Sequence, residues 1–365
     1  MYVQRRFSFK AVLIWTKKEL LFFFIIATVF TALYELLDLK WIQVPLAPVA
    51  LIGTAVAFLV GFQNNAAYDR IWEARKIWGG IVNISRTFTI TVRDSFYLHR
   101  PDQTTDVKEE KETLQTITNR HIAWLTALRY AMRAKKIWEA DYGKKKTPKN
   151  YHYNIPEIMT ELGDELKPLL SDKEYAYVMA SDNKPNALIG LQSKHLRKLT
   201  DEKKIWDFSL LNMQGMLQEM TALQGKSERI KNFPYPKQYG SIGYHFVHIF
   251  MWLLPMALIP SFAEIGADIL AVDPDPENLS LLANTYPFIG KYFIWVNIPF
   301  TVIVIWVFNT MLRIGLAGEN PFEGSPNDVP ISNISRGITR DILQIIDEDP
   351  ENIPEPFENI NHIQM

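Results

Sequence analysis

The chain alternates between long apolar runs and strongly polar stretches. Four runs are long enough to cross a bilayer as helices, which takes about 20 residues each. They cover Leu20–Leu37, Trp41–Tyr68, Gln238–Ala263 and Tyr292–Leu312. One such run could be a buried helix of a large soluble protein, but four together predict a polytopic membrane protein. The first run leads into Glu35 and Asp38 without a small-residue cleavage site, so we expect it to be retained rather than removed as a signal peptide.

The charges beside these runs predict an orientation. Five basic residues precede the first run: Arg5, Arg6, Lys10, Lys17 and Lys18. The link to the second run holds only Lys40 beside two acids, and the stretch after the third run is acidic until Lys291. Basic residues favour the cytoplasmic side of a membrane. Both termini and the long central region are therefore predicted to lie in the cytoplasm of a multi-pass cell-membrane protein.

The fold is predicted to be all-α, with four transmembrane helices and a helical cytoplasmic domain. The parts are residues 1–68 with two spans, 69–237 as the cytoplasmic domain, 238–312 with two spans and a short outer loop, and 313–365 as a cytoplasmic helix and tail. Apolar residues recur at helical spacing in three segments of the central part: His121–Trp138, Ala187–Leu199 and Ile205–Leu223.

Two further polar segments predict a loop and an extended tail. The lysine-rich segment Lys144–Lys149, which contains Pro148, is typical of a solvated loop. After Arg340 the charged residues are all acidic and three prolines occur, at 350, 354 and 356. We expect this tail to be extended, and ordered only if it lies against a basic surface.

Catalysis finds little support in the sequence. The chain has no cysteine, which excludes disulfides, thiolate nucleophiles and cysteine-bound metal centres. His245 and His248 are three residues apart in the third run and could share a metal, but no carboxylate accompanies them there, so hydrogen-bonded or interfacial histidines are the preferred interpretation. No P-loop, nucleophile elbow or metalloprotease motif is present. We predict that the protein is not an enzyme and has no cofactor, metal or nucleic-acid partner.

The second run carries two neighbouring stripes. Thr54, Phe58 and Phe62 recur every four residues and share one side of a helix. The adjoining stripe is small: Gly53, Ala57 and Gly61. Small residues let helices approach closely in a membrane, where no hydrophobic effect drives their association. On this pattern alone, aromatic residues more often face lipid or protein core than a pore.

The residues that follow the second run favour the pore interpretation instead. Gly61–Arg86 closely resembles the stretch after the second span of the bestrophin family, particularly its bacterial members, including the Asn, Tyr, Arg, Trp-Glu-Ala-Arg and Trp-Gly positions. Further similarities are Glu228–Pro236, entering the third span, and Glu319–Asp328, after the fourth. The resemblance covers nearly the whole chain in the same order.

The resemblance implies a homopentamer whose second spans surround a narrow apolar neck. The neck positions would be Thr54, Phe58 and Phe62, and a second, cytoplasmic constriction would fall at Ala187 or Leu188. A tightly packed ring of second spans would use the stripe of small residues for its helix contacts. The partners would be identical subunits, the lipid bilayer and small inorganic ions.

The chain also departs from the family pattern. Gln63 stands where many relatives have Arg, and Thr54 where an apolar residue is usual. Animal members carry an acidic calcium clasp after the fourth span. The matching stretch here has only Glu319, Glu323 and Asp328, which is sparse for an ion that takes six to eight oxygen ligands. Calcium gating is therefore not predicted.

Polar residues below the neck suggest two roles. Asn64 and Asn65 are predicted to solvate an ion that leaves the apolar ring. Asp69, Arg70 and Glu73 are spaced to pair with one another, so they are interpreted as a structural ion network.

Four functions remain open from the sequence. A passive channel for chloride or other small anions is favoured, because aromatic rings present a positive edge toward an ion. The resemblance also admits a sodium-conducting channel of the same fold. A secondary transporter is less favoured, since no repeated halves and no intramembrane acid or base are evident, and a membrane scaffold without transport is a further alternative.

Overall fold

The structure, a computed structural model, describes residues 1–97, 107–139, 153–271 and 285–365. Helices account for most of these residues, and no strand longer than an isolated bridge occurs among them. The helices are α1 (Phe9–Trp15), α2 (Lys17–Leu36), α3 (Leu46–Tyr97), α4 (Val107–Arg133), α5 (Pro156–Met159), α6 (Leu162–Leu166), α7 (Asp172–Ala180), α8 (Lys184–Asp201), α9 (Asp207–Asn232), α10 (Lys237–Ala271), α11 (Tyr286–Tyr292), α12 (Asn297–Ala317) and α13 (Ile331–Ile345). The all-α prediction is confirmed.

Four helical segments are long and apolar enough to cross a membrane, as predicted. They are Lys17–Leu36, Lys40–Phe96, Gly240–Ala271 and Tyr286–Ala317. The second extends well beyond its apolar run, because the polar residues after Tyr68 continue α3 without a break. The third extends to Ala271. The chain is therefore a multi-pass membrane protein. The lysine-rich segment 144–149 lies outside the described residues.

The chain divides into two units. The membrane unit comprises Arg5–Tyr68 and Tyr235–Ala317. The polar unit comprises Met1–Gln4, Asp69–Pro234 and Gly318–Met365.

The membrane unit has a core in which α10 packs against α2 and α12. Val56 and Val60 of α3 join Met251 and Ile305 in this core. A polar link also lies in this unit: Asn297 donates a hydrogen bond from its side chain to the hydroxyl of Thr31, 3.1 Å away, and both side chains are fully buried. Such a bond satisfies polar groups that lipid cannot.

Helix α10 runs through two prolines without a break. Pro255 and Pro260 both lie inside the helix. Each proline removes the N–H that would bond to the carbonyl four residues earlier. For Pro260 that carbonyl belongs to Met256, and it accepts a hydrogen bond from the backbone N–H of Val44 at 3.4 Å. Neighbouring segments can thus compensate for proline inside a transmembrane helix.

The polar unit is organised around α4, which contacts α6, α8, α9 and α13. Its central side chains are large and almost fully buried, among them Trp78, Phe88, Trp124 and Leu128. Trp124 satisfies its indole N–H by donating to Oε1 of Gln224 at 3.0 Å. The amphipathic segments predicted from helical spacing correspond to α4, α8 and α9.

The acidic tail lies against arginines of α13. The tail is expected to be ordered only against such a basic surface. Arg340 donates from Nη1 to the carbonyl of Pro354 at 2.6 Å. The guanidinium of Arg336 stands 4.3 Å from the centre of the Phe357 ring. Further along, Tyr2 and Ile363 form an antiparallel bridge, which joins the two ends of the chain.

Candidate pore-lining surface

The stripe predicted to form the neck is exposed along α3. Phe58 and Phe62 expose 66% and 70% of their surface, although both are large and apolar. Thr54 is also exposed, one turn before Phe58. An apolar helix side that is not covered by its own chain needs lipid or another protein surface to cover it.

A groove of about 790 Å³ runs along this stripe within the membrane unit. Its floor includes Phe250 and Leu254 of α10 and Phe308 of α12, which the sequence analysis treated only as apolar span residues. No sequence signal separates them from the other apolar residues of their spans. The groove also includes Gly53, Ala57, Gly61 and the three stripe residues.

The stripe of small residues divides between two environments. Gly53 is buried, and a Cβ atom added there would come within 2.7 Å of Cε2 of Phe250. Gly61 has no described atom within 4 Å of the corresponding position, and Ala57 is exposed. Gly53 therefore serves close packing inside the chain, whereas Ala57 and Gly61 leave a surface open to another helix.

Thr54 is less polar than its side chain suggests. Its hydroxyl donates to the backbone carbonyl of Ala50 at 3.0 Å, in the preceding turn of the helix. A threonine that bonds back into its own helix presents chiefly its methyl group and an oxygen acceptor outward. This explains how Thr54 fits a position where the bestrophin pattern has an apolar residue.

The two asparagines predicted at the neck exit point in different directions. Asn65 is exposed and lines the same groove as Phe62. Asn64 is directed inward, so that a Cβ atom on Gly315 of α12 would collide with its Oδ1. That oxygen is buried without a hydrogen-bond partner among the described residues. A shift of one residue turns a helical side chain by about 100°, so only Asn65 continues the stripe.

The charged residues after the stripe hold helix ends and loops together. Arg70 donates from Nη2 to the carbonyls of Ile230 and Phe233, at the end of α9, and from Nε to the carbonyl of Glu319. Carbonyls at a helix C-terminus have no partner within the helix, so a guanidinium stabilises them. Glu73 accepts from Arg229 of α9 at 2.6 Å. Arg70 and Glu73 thus make structural contacts, as interpreted from the sequence, and Glu73 pairs with α9 rather than with a neighbouring position of α3.

The predicted cytoplasmic constriction falls on buried positions. Leu188 is 1% exposed and Ala187 is 9% exposed, and both belong to the core of the polar unit. The exposed residues at the start of α8 are Asn186 and Gly190. A ring formed by Leu188 would require its side chain to leave this core, so of the two positions Ala187 fits a constriction better.

In the stretch where no calcium clasp is predicted, the carboxylate of Asp328 already has hydrogen-bond donors from the chain. Asp328 accepts hydrogen bonds from the backbone N–H groups of Gly324 and Ser325 and from the Ser325 hydroxyl. Nη1 of Arg133 lies 3.7 Å from the same carboxylate. Burial raises the pKa of Asp328, and these donors act in the opposite direction. Within the described ranges, no three His, Asp or Glu side chains are grouped to hold a metal.

The two histidines of the third span are engaged separately. His248 contacts the backbone carbonyl of Tyr244 through Nδ1 at 2.7 Å, and its ring lies 3.9 Å from the Tyr244 ring. His245 lies edge-on to the same tyrosine. His248 is thus hydrogen-bonded, in line with the preferred interpretation.

Known proteins are similar to most of this chain. Residues 6–270 match the family described as Bacterial/Fungal Bestrophin protein. The voltage-dependent anion channel-forming protein RSc3414 of Ralstonia nicotianae is 26% identical over 302 residues, which are 82% of this chain and 77% of the relative. The corresponding protein YneE of Escherichia coli O157:H7 is 25% identical over 90% of this chain and 84% of its own length.

Solved structures agree with this assignment at the level of the fold. A crystal structure of a bacterial bestrophin homolog from Klebsiella pneumoniae superposes with a TM-score of 0.64 at 22% identity, covering 93% of this chain and all of that one. A point variant of a Klebsiella pneumoniae bestrophin homolog gives a TM-score of 0.66 at 20% identity, over 90% and 98% of the two chains. Because the family match spans well over half of the sequence, the chain belongs to the bacterial and fungal bestrophin family.

Proposed function

We propose that this chain assembles into a closed ring of identical subunits, a pentamer, that conducts chloride or other small anions passively across a cell membrane. The observation that carries the proposal is the exposure of Phe58 and Phe62 on one stripe of a membrane-spanning helix. One subunit cannot enclose a pore with a single stripe, but a ring of α3 helices brings five stripes to a common axis. Cyclic symmetry is the usual way in which identical subunits close.

The groove beside the stripe supports this assembly. It is apolar, lies along α3, and includes the open positions Ala57 and Gly61. Small residues at such a surface allow the backbone of a neighbouring helix to approach closely. In the assembled ring, a helix of the next subunit would cover the groove while Phe58 and Phe62 stay at the axis.

The neck would act as a hydrophobic constriction. An ion that enters two apolar rings loses water and gains little in return, and such constrictions gate by wetting and drying. Phenylalanine edges carry partial positive charge, which favours anions without any fixed charge. Asn65 at the end of the stripe offers amide donors to an anion that leaves the rings. The names of the relatives, as anion channel-forming proteins, support the same ion class.

The proposed orientation places both termini and the polar unit in the cytoplasm. The basic residues before the first span support it through the bias of basic residues toward the cytoplasmic side. The second constriction is proposed near the start of α8, at Ala187. The protein is proposed to act without catalysis.

Ion flux through the purified protein in liposomes tests the function. Under a potassium chloride gradient we expect a reversal potential near that of chloride. In mild detergent we expect an oligomer whose mass is five times that of one subunit. A reversal potential near that of the cation would support the sodium-channel alternative instead. Saturable, stoichiometrically coupled flux would support a transporter, and a monomeric mass would contradict the ring.

A further inference from the structure

A second cavity lies in the polar unit, away from the proposed neck residues. It has a volume of about 340 Å³ and lies between α4, α13 and the acidic tail. Arg129 and Asn119 of α4, Arg336 of α13 and Phe357 of the tail contribute to its wall, together with the carboxylates of Glu165 and Glu348. This volume is at the lower end of the range for small-molecule sites, which combine apolar walls with a few polar groups that fix a ligand.

The two arginines of this cavity differ in how their charges are balanced. Arg129 is buried between two carboxylates: Nη1 bonds to Glu157 at 2.5 Å, and Nη2 bonds to Glu165. Arg336 is half-buried, and within the described part of the chain no carboxylate lies within 4.0 Å of its guanidinium and no hydrogen bond is formed by it. Its guanidinium lies over the face of the Phe357 ring.

The surroundings make the Arg336 charge costly. Burial lowers the pKa of Arg336, the guanidinium groups of Arg129 and Arg340 act in the same direction, and the Glu165 carboxylate opposes them. A half-buried cation loses part of its hydration, and an anionic partner replaces it most strongly. A guanidinium presents five donors in a planar fork that matches carboxylate and phosphate oxygens.

The two carboxylates of the cavity already have donors, Glu165 from Arg129 and Glu348 from Asn352, and two other groups suit a small oxyanion. Asn119 accepts from Gln115 through Oδ1 at 3.2 Å, which directs its amide N–H groups away from that bond. The Phe357 ring closes one side and keeps water from one face of the guanidinium. The tail that carries this ring is fastened to α13 by the bond from Arg340 to Pro354.

We propose that this cavity binds a small carboxylate or phosphate anion, with the Arg336 guanidinium as its principal contact and the tail as one wall. The site lies in the polar unit and does not depend on the proposed conduction pathway. Because Asn352 and Phe357 also line the cavity, a bound anion would hold the tail to α4 and α13. Carboxylates and phosphates both present acceptor oxygens that a guanidinium group recognises. Titrating each anion separately shows which of the two binds.

Isothermal titration calorimetry on the full chain, purified in detergent at constant sodium chloride, tests the site. Inorganic phosphate and succinate are titrated separately, and we expect at least one to bind saturably with one site per chain. Arg336→Gln should weaken that binding tenfold or more. Arg197→Gln is the matched control, because Arg197 lies on the exposed side of α8 and pairs only locally with Asp201. It should leave the affinity unchanged.

The proposal is overturned if neither anion binds saturably, or if Arg336→Gln binds as tightly as the unmodified protein. The variant must keep the oligomer profile and melting temperature of the unmodified protein. If it does not fold, Phe357→Ala tests the cavity from its tail side. A severalfold weaker affinity there supports the site, and an unchanged affinity rejects it.

Discussion

The backbone of Gly53 lies so close to the ring of Phe250 that a Cβ atom on the glycine would come within 2.7 Å of Cε2. This places α3 and α10 in direct contact inside one membrane unit. Two glycines of the same helix therefore have different roles, since Gly61 has open space beside it.

Gly53→Ala should destabilise the single chain, whereas Gly61→Ala should not. Overpacking a filled core costs about 1–3 kcal/mol, and the Phe250 ring, 4% exposed, has little room to move. Alanine is otherwise favoured over glycine in a helix by about 1 kcal/mol. Thermal unfolding in detergent measures both variants. A lower melting temperature for Gly61→Ala than for Gly53→Ala would contradict this packing. Loss of the oligomer in Gly61→Ala alone would indicate that Gly61 lies at a contact between subunits.

Phe58→Ala should raise conductance and weaken anion preference. Removing the ring widens and wets the constriction and takes away the positive ring edges. Current and reversal potential under a chloride gradient measure the change. Ala57→Phe adds similar bulk on the adjoining stripe and should instead impair assembly, which an oligomer profile detects. A correctly assembled Phe58→Ala channel with unaltered conductance and selectivity would show that Phe58 does not line the pore.

Glu139→Gln should strongly destabilise the polar unit. Nζ of Lys231 lies 2.6 Å from Oε1 of Glu139, and their side chains are 2% and 4% exposed. Burial lowers the pKa of Lys231, which the hydrogen bond to Glu139 partly offsets. Breaking a buried ion pair from one side costs about 3–5 kcal/mol, because a buried charge is left alone.

Replacing both partners with apolar residues, Lys231→Met with Glu139→Leu, is the control for that experiment. It removes both charges and should restore most of the melting temperature lost by Glu139→Gln. If the double variant unfolds as early as the single one, packing rather than the unpaired charge explains the loss.

Acidification should destabilise the protein through His121. Burial lowers the pKa of His121 to about 3, and its ring stacks on Phe88 with centroids 5.5 Å apart. The unfolded chain binds a proton near pH 6.5 while the folded chain does not, so stability falls as the pH drops from about 6.5 toward 3. At pH 5 the loss amounts to about 2 kcal/mol, from 1.36 kcal/mol for each pH unit below the unfolded pKa.

His121→Gln removes this titration and should roughly halve the dependence of the melting temperature on pH between 6.5 and 5, because His195 contributes a nearly equal loss over that range. Burial and Arg120 lower the pKa of His195 to about 4, so its folded form also stays largely unprotonated at pH 5. An unaltered slope in His121→Gln would mean that the histidine is protonated in the folded protein.

Single cysteines should report the orientation, since the chain has none of its own. Gln43, in the link between the first two spans, and Lys198, on α8, are both exposed. An impermeant maleimide on intact cells should label Gln43→Cys, and Lys198→Cys only after permeabilisation. The reverse pattern would invert the proposed topology.

The sequence predicted the spans well because their signal is collective. A bilayer demands a long stretch without charge, and each of the four runs provides one regardless of the details of packing. The continuation of α3 past Tyr68 was also accessible, since the polar residues there keep helical spacing and lack proline.

What could not be predicted depends on where neighbouring segments lie. Periodicity placed Asn64 beside Asn65 without indicating that Gly315 receives its side chain. The proline-containing helix α10 stays intact because Val44, distant in sequence, supplies a donor. Leu188 belongs to the core of the polar unit because α4 packs against α8, a contact that the apolar spacing of α8 alone does not specify.

The loop that ends at Asp328 has a practical consequence for biochemical work. Its carboxylate already has the donors that a bound cation would otherwise replace, and all of them come from the loop itself or from Arg133. The local structure is thus held by hydrogen bonds and an ion pair within the chain rather than by an ion from the buffer. Preparations made with a chelator and with added calcium should be interchangeable at this loop.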